Sequence, residues 1–361
     1  MRIKVGGGTR HILTLWREGS KVKMIDQRLL PHRFEIMTLN DHGETARAIK
    51  DMATRGAGAV GCAAGYAMAQ AAQEAASLPT KKFNEYMAEA AETVRRTRPT
   101  AVNLFHAVER CIDAAMGGSV SARVRNIVEE ADRIAADDLE ASRLIGEHGA
   151  GLIGDGYRVL THCNAGALAF IDQGTALSPI RVAHRLGRRV FVWVDETRPR
   201  SQGAHLTAWE LEMEEIPYAL IVDNAAGYYM RRGEVDMVIV GADRVAANGD
   251  VANKVGTYEK AVVAKENGVP FYVAAPKMTF DYATPTGDDI EIEERSPEEV
   301  NKVWGLDADG EYRWVQVTME GTPARNPGFD VTPARYITGF ITEKGIIGPP
   351  YVANIPKMFK T

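Results

Sequence analysis

The chain has 361 residues, 45% of them hydrophobic and 25% charged, a balance that fits a soluble globular protein with room for two domains. A net charge of −5 excludes the basic surface of a general nucleic-acid binder, so no nucleic-acid partner is expected and a phosphorylated ligand would need local cations. Cys62, Cys111 and Cys163 are too few for a disulfide framework and lack zinc-site spacing, which predicts a reducing, cytoplasmic setting and no metal. No apolar run is long enough for a membrane span and the first ten residues carry no signal core, so no membrane partner is expected.

In chain order, Ile12 to Trp16 and Val22 to Ile25 alternate as two strands around a turn at Glu18-Gly19-Ser20, and Asp26 to Pro31 closes that hairpin. From about Glu44 to Glu147 small and helix-forming residues dominate. Breaks at Leu78-Pro79, Arg98-Pro99 and Gly117-Gly118-Ser119 predict four or five helices. The last of these, over 119–147, is heavily charged and reads as a solvated connector. Five glycines between Gly146 and Gly156 place the domain boundary there, giving an N-terminal hairpin and helical domain over 1–149 and a second domain over 150–361.

The second domain begins with Tyr157 to Thr161, an apolar run that leads through His162 to Cys163, after which Asn-Ala-Gly predicts entry into a small-residue helix. Further apolar runs at Val190–Val194, Tyr218–Val222, Met237–Val240 and Phe271–Ala274 alternate with helical segments. That alternation predicts a Rossmann-like, doubly wound parallel sheet. Cys163, Asp195 with Glu196, Asp223 with Asn224, and Asp243 then stand at the carboxyl ends of strands, where such sheets bind ligands. From Met278 to Arg335 the alternation lapses into a lobe expected to cover or border the site.

Four stretches offer polar groups for that site. Arg55-Gly56-Ala57-Gly58 starts a helix whose free N–H groups form an anion seat, or else its small residues serve close helix packing; the pattern leaves both open. Pro99 is placed at the first turn of the next helix, with Arg98 beside it, facing an anion or only solvent. Arg198, Arg200 and Gln202 lie on a polar strand-to-helix loop and suit phosphate or hydroxyl groups, or the surface. Asp250 reads as the cap of a helix opening at Val251, which sets Asn253 and Lys254 in its first turn, where a lysine is out of place unless an anion is bound. Cys163 is either a small buried hydrophobe or a reactive thiol, and His162 points to the opposite face, so the two form no dyad. Partial desolvation of Asp243 would suit it to act as an acid near neutral pH.

Ile25-Asp-Gln-Arg-Leu-Leu-Pro31, Arg55-Gly-Ala57, Arg98-Pro-Thr-Ala-Val-Asn-Leu104, Thr161-His-Cys-Asn-Ala-Gly-Ala-Leu168, Glu196-Thr-Arg-Pro-Arg-Ser-Gln-Gly203, Gly241 to Lys254 and Asn326-Pro-Gly-Phe-Asp-Val-Thr-Pro333 together resemble the methylthioribose-1-phosphate isomerase family. That family belongs to the superfamily that also holds the regulatory subunits of translation initiation factor 2B. The resemblance spans almost the whole chain and implies a cofactor-free isomerase of methionine salvage, taking 5-methylthioribose 1-phosphate to 5-methylthioribulose 1-phosphate. It implies Cys163 and Asp243 as the catalytic pair, with Arg55, Gly56, Ala57, Arg98, Gln202, Asn253 and Lys254 on the substrate and its phosphate, in a homodimer. Related readings are an isomerase of 5-deoxyribose 1-phosphate or ribose 1,5-bisphosphate and, in another class, a non-catalytic initiation factor 2B-like subunit. Two departures from the family pattern bear on the sugar: Gly58 replaces a proline and is expected to loosen the loop, and Lys277-Met278 replaces small hydroxyl residues.

Overall fold

The computed structural model describes residues 1–5, 7–99 and 101–359 and divides into two compact units. The first comprises Met1–Arg143 with Gly166–Gly174, the second Leu144–Ala165 with Thr175–Thr361. The division thus differs from the expected 149/150 boundary. It falls inside a helix, and the segment after Ala165 joins the first unit.

In the first unit, β1 (Arg2–Val5) and β2 (Gly8–His11) form an antiparallel hairpin, and β3 (Leu15–Glu18), β4 (Lys21–Ile25) and β5 (Ile36–Leu39) a three-stranded sheet. The expected hairpin is β3–β4; β5 adds a third strand to it, and the β1–β2 pair is a sheet of its own. The helices are α1 (His42–Lys50), α2 (Ala57–Glu74), α3 (Thr80–Arg95), α4 (Val102–Ala114) and α5 (Val120–Ala150). Every residue of α2 from Gly58 to Ala72 is buried, because its alanines and glycines let α1, α3 and α4 approach on several sides. A Cβ on Gly61 would already stand 3.2 Å from Asn103 of α4. Phe83 and Leu104 close the core around it, each worth about 1.5–3 kcal/mol of burial.

α5 is not the solvated connector expected from its charge. Ile127, Ala131, Ile134 and Ala135 are buried in the first unit's core, and the carboxyl of Asp138 is buried as well. Its last two turns belong to the second unit, where the glycines serve packing: a Cβ on Gly146 would meet Ser178 Oγ at 2.3 Å and one on Gly149 would meet Pro179 at 2.5 Å.

The second unit runs β6 (Tyr157–Thr161), α6 (Leu177–Arg185), β7 (Val190–Asp195), α7 (Ala208–Met213), β8 (Tyr218–Ile221), α8 (Ala226–Arg231), β9 (Met237–Val240), β10 (Arg244–Ala246), β11 (Val251–Lys254), α9 (Thr257–Glu266) and β12 (Phe271–Ala274). It continues with β13 (Phe280–Asp281), α10 (Glu298–Asn301), β14 (Lys302–Leu306), β15 (Tyr312–Gln316), β16 (Phe329–Thr332), β17 (Gly339–Thr342), β18 (Gly345–Ile347) and α11 (Tyr351–Phe359). The seven-stranded sheet has the order β18-β17-β12-β9-β6-β7-β8 and is parallel except for the β17–β18 pair. From β6 the chain builds outward through β7 and β8, then returns to β6's other side with β9, β12 and β17. The doubly wound expectation therefore holds, and the direction reverses between β6 and β9, the position at which such sheets bind ligands. A second sheet, β13-β10-β11-β16, and the β14–β15 hairpin make up the loop-rich lobe. Among the described residues no helix is long and apolar enough to cross a membrane.

Candidate functional site

Cys163 leaves β6 and Asp243 leaves β9, neighbouring parallel strands in register at Val159↔Met237 and Leu160↔Val238. The two residues therefore straddle the switch point. Both are half-buried. Cys163 does not hand over to a helix as expected. Its backbone is left-handed, with φ at 66°, a conformation that costs an L residue about 1–2 kcal/mol and concentrates at functional sites. Only a single 3₁₀ turn follows, at Ala167–Ala169. The Asp243 N–H donates to the Ala252 carbonyl at 3.0 Å, which fastens the end of β9 to β11.

His162, like Cys163, lies just past the end of β6, so strand alternation does not govern the pair. His162 is buried, with Nδ1 3.0 Å from Asp195 Oδ2 and Nε2 2.8 Å from the Val255 carbonyl. Burial pushes the Asp195 carboxyl up, while His162 and the Lys260 ammonium pull it back. Lys260 is itself buried, with Nζ 3.7 Å from Asp195 Oδ2. His162, Asp195 and Asp223 offer three donor atoms within 4.8 Å of one another, the one metal-like group among the described residues. The donors are engaged, however. Asp223 accepts the N–H groups of Thr197 and Arg198, each at 2.7 Å, and Lys260 already stands beside Asp195 as the local cation.

The polar loop after β7 brings Gln202 into a π-turn over Gly203–Thr207 rather than directly into α7. The Gln202 side chain is buried, and its Oε1 has no hydrogen-bond partner among the described residues. An unused buried acceptor of this kind is costly unless something donates to it.

The reading of Val251 to Lys254 as a helix start is overturned. The stretch is β11, paired antiparallel with β10 on one side and β16 on the other, and the helix begins only at Thr257 after Gly256. Asp250 caps no helix here. It accepts the N–H groups of Gly287 at 3.0 Å and Ala334 at 2.8 Å and so ties the lobe together. Asn253 Nδ2 donates to Thr257 Oγ1 at 2.9 Å. Lys254 Nζ donates to the Gly328 carbonyl at 2.5 Å and lies 4.8 Å from the centre of the Phe329 ring. The helix-dipole argument for an anion at Lys254 therefore lapses.

Within the first unit, α2 does begin at Ala57 as expected. Gly56 precedes it at φ 90°, a Cβ there would stand 2.4 Å from Ala169, and no side chain caps the first turn. Arg55 is half-buried on the same loop, and Arg98 Nη1 lies 3.6 Å from Met52 Sδ, so the Arg98 guanidinium borders that loop. Pro99 is not at the start of α4, which opens three residues later at Val102; Thr100 of the motif lies outside the described residues. Gly58 does not loosen anything. It is the second residue of α2, and a Cβ on it would meet Phe170 Cδ1 at 2.3 Å and Asp138 Oδ1 at 2.4 Å. Burial raises the Asp138 carboxyl to about 7. Lys277 is exposed beyond β12, and its N–H donates to Glu343.

Sequence reasoning missed Thr197, Thr207 and Lys260. Lys260 alone carried a signal, a lysine on the helix face shared by Thr257, Ala261 and Ala264, all of them buried.

Fold and site define a doubly wound α/β protein with ionisable groups gathered at the carboxyl edge of its switch point. The sequence pattern of the Initiation factor 2 subunit family matches residues 53–349, and the chain belongs to that family. Methylthioribose-1-phosphate isomerase of Geobacter metallireducens is 50% identical over 349 residues, 96% of this chain and 98% of that protein. Among solved structures, 5-methylthioribose 1-phosphate isomerase from Pyrococcus horikoshii OT3 superposes with a TM-score of 0.88 at 43% identity, over 97% of this chain and 96% of that one. Translation initiation factor eIF-2B subunit delta from A. fulgidus gives 0.84 at 42%, over 97% and 100%.

Proposed function

We propose that this chain is an aldose–ketose isomerase that converts 5-methylthioribose 1-phosphate to 5-methylthioribulose 1-phosphate, a step of methionine salvage. The observation that carries the reading is the placement of Cys163 and Asp243 just past the ends of the two strands flanking the switch point, in a chain close to half identical to isomerases of that name over nearly its full length. The second unit would carry the chemistry, in a cytoplasmic homodimer with no nucleic-acid partner.

The phosphate on the anomeric oxygen blocks the hemiacetal opening used by free sugars. Asp243, protonated, donates to the ring oxygen as the bond from C1 to that oxygen breaks. Hydrogen then moves from C2 to C1, and the C2 hydroxyl loses the proton that balances the one delivered, leaving the ketone. Transfer as hydride would use Cys163 to stabilise charge; transfer through a phosphoenolate would use its sulfur as the proton carrier. Arg55, Gly56, Ala57 and Arg98 would take the phosphate by the uncapped start of α2. In the second unit, Gln202 Oε1 would accept from a sugar hydroxyl, and Asn253 and Lys254 of β11 are the further substrate-binding residues that the family resemblance implies.

The test incubates the protein with 5-methylthioribose 1-phosphate, 5-deoxyribose 1-phosphate and ribose 1,5-bisphosphate in parallel, following ketose formation by NMR in deuterated water. Conversion of the methylthio sugar is expected. Preference for another sugar would reassign the substrate, and turnover of none would favour a non-catalytic subunit resembling initiation factor 2B. Deuterium at C1 of the product would exclude a pure hydride shift.

A further inference from the structure

The left-handed backbone of Cys163 is held from both sides by threonine hydroxyls. Its N–H donates to Thr197 Oγ1 at 2.8 Å, and that hydroxyl donates its own proton to the Asp195 carbonyl at 3.0 Å. Its carbonyl accepts from Thr207 Oγ1 at 2.7 Å, and Thr207 in turn accepts from Asn164 Nδ2 at 3.1 Å. Each hydroxyl therefore both donates and accepts, so neither can rotate without breaking a bond.

Both threonines are anchored further back. Thr197 is itself left-handed at φ 64°, and its N–H is taken by Asp223. Thr207 ends the π-turn, a helical irregularity that recurs at functional sites. Asn164 also donates to Glu210 Oε1 at 2.8 Å, and Glu210 is ion-paired with Arg181, both of them buried. Thr197 and Thr207 are 0% exposed, so neither can touch a substrate. Whatever they do for the reaction passes through Cys163.

We propose that Thr197 and Thr207 are positioning residues that clamp the two peptides flanking Cys163 and so fix where its thiol stands at the switch point. The proposal rests on the isomerase reading for its consequence in turnover, although the clamp can be read without it. Misplacing a reacting group by about 1 Å costs up to about a hundredfold in rate, so a loosened clamp should lower kcat more than it raises KM.

The experiment compares native protein with Thr197→Val, Thr197→Ser and Thr207→Val. It measures kcat and KM on 5-methylthioribose 1-phosphate, melting temperature, and the rate of alkylation by iodoacetamide. Cys62 and Cys111 are buried and Cys163 is half-buried, so alkylation of the folded protein reports on Cys163. Both valine variants should lose about 10- to 100-fold in kcat with KM within about threefold, change the alkylation rate severalfold, and Thr197→Ser should restore both. A folded valine variant with native kcat and native alkylation rate overturns the proposal. If Thr197→Val does not fold, Thr207→Val decides by the same readings. If the native protein turns over no sugar, the alkylation rates still decide the clamp, so its failure and that of the isomerase reading are separable.

Discussion

Two stretches of this chain look alike on paper and behave differently in the fold. Arg55-Gly-Ala-Gly58 and Asp250-Val-Ala-Asn-Lys254 each pair a cation with small residues and each reads as a helix start suited to an anion. The first is one. Gly56 adopts a φ of 90° and leaves no room for a Cβ against Ala169, so the glycine is required where α2 begins. The second is a strand, because Val251 to Lys254 finds hydrogen-bonding partners in both β10 and β16. Local preference decides where a special backbone conformation is needed, and long-range pairing decides where it is not. A motif can mark a functional stretch while the local reason offered for it is mistaken.

Substitutions can break or sharpen that contrast. Gly56→Ala should have the largest effect, combining a disfavoured φ with a 2.4 Å contact on Ala169. A loss of about 3–5 kcal/mol in unfolding free energy is expected by denaturant titration. A near-native value would mean that the loop can shift and that the glycine is not structurally required.

Asp138, packed against Gly58 in the first turn of α2, gives the next effect, and its sign follows from linkage. Burial raises its carboxyl from the ordinary value to about 7, so between those values the fold holds a proton that the unfolded chain has released. Native stability should therefore fall as pH rises from about 4 to about 7 and then level off. Asp138→Asn should remove that slope and be the more stable protein at pH 8, by on the order of 4 kcal/mol, and the two should converge near pH 4. Parallel melting curves across that range would contradict the buried, proton-holding carboxyl.

Lys254→Met should act least on the fold and most on binding. The methionine keeps an apolar stem against Phe329, and loss of the charge should raise KM for the sugar phosphate about tenfold, roughly 1.4 kcal/mol. An unchanged KM would remove Lys254 from the substrate's surroundings.

Much of the second unit was legible because buried parallel strands read as continuous apolar runs: Val190–Val194, Met237–Val240 and Phe271–Ala274 fall on β7, β9 and β12. With the strands went their ends, and hence Cys163 and Asp243. The β1–β2 hairpin was not legible, since Gly8–His11 is exposed throughout and carries no alternation. Nor were β10 and β11, whose pairing is set by partners far along the chain. The charge on α5 hid its buried stripe of Ile127, Ala131 and Ile134. Thr197 and Thr207 were invisible for a different reason: their importance lies in which backbone groups their hydroxyls meet, and that depends on loop geometry rather than on residue type.

The central claim is that Asp243 performs chemistry on a bound sugar phosphate rather than merely holding β9 to β11. Asp243→Asn keeps the backbone N–H that bonds Ala252 and removes only the acid. Calorimetric titration of this variant with 5-methylthioribose 1-phosphate, beside its turnover by NMR, should show binding close to native and ketose formation reduced by about a thousandfold or more. Near-native turnover in Asp243→Asn would contradict the account.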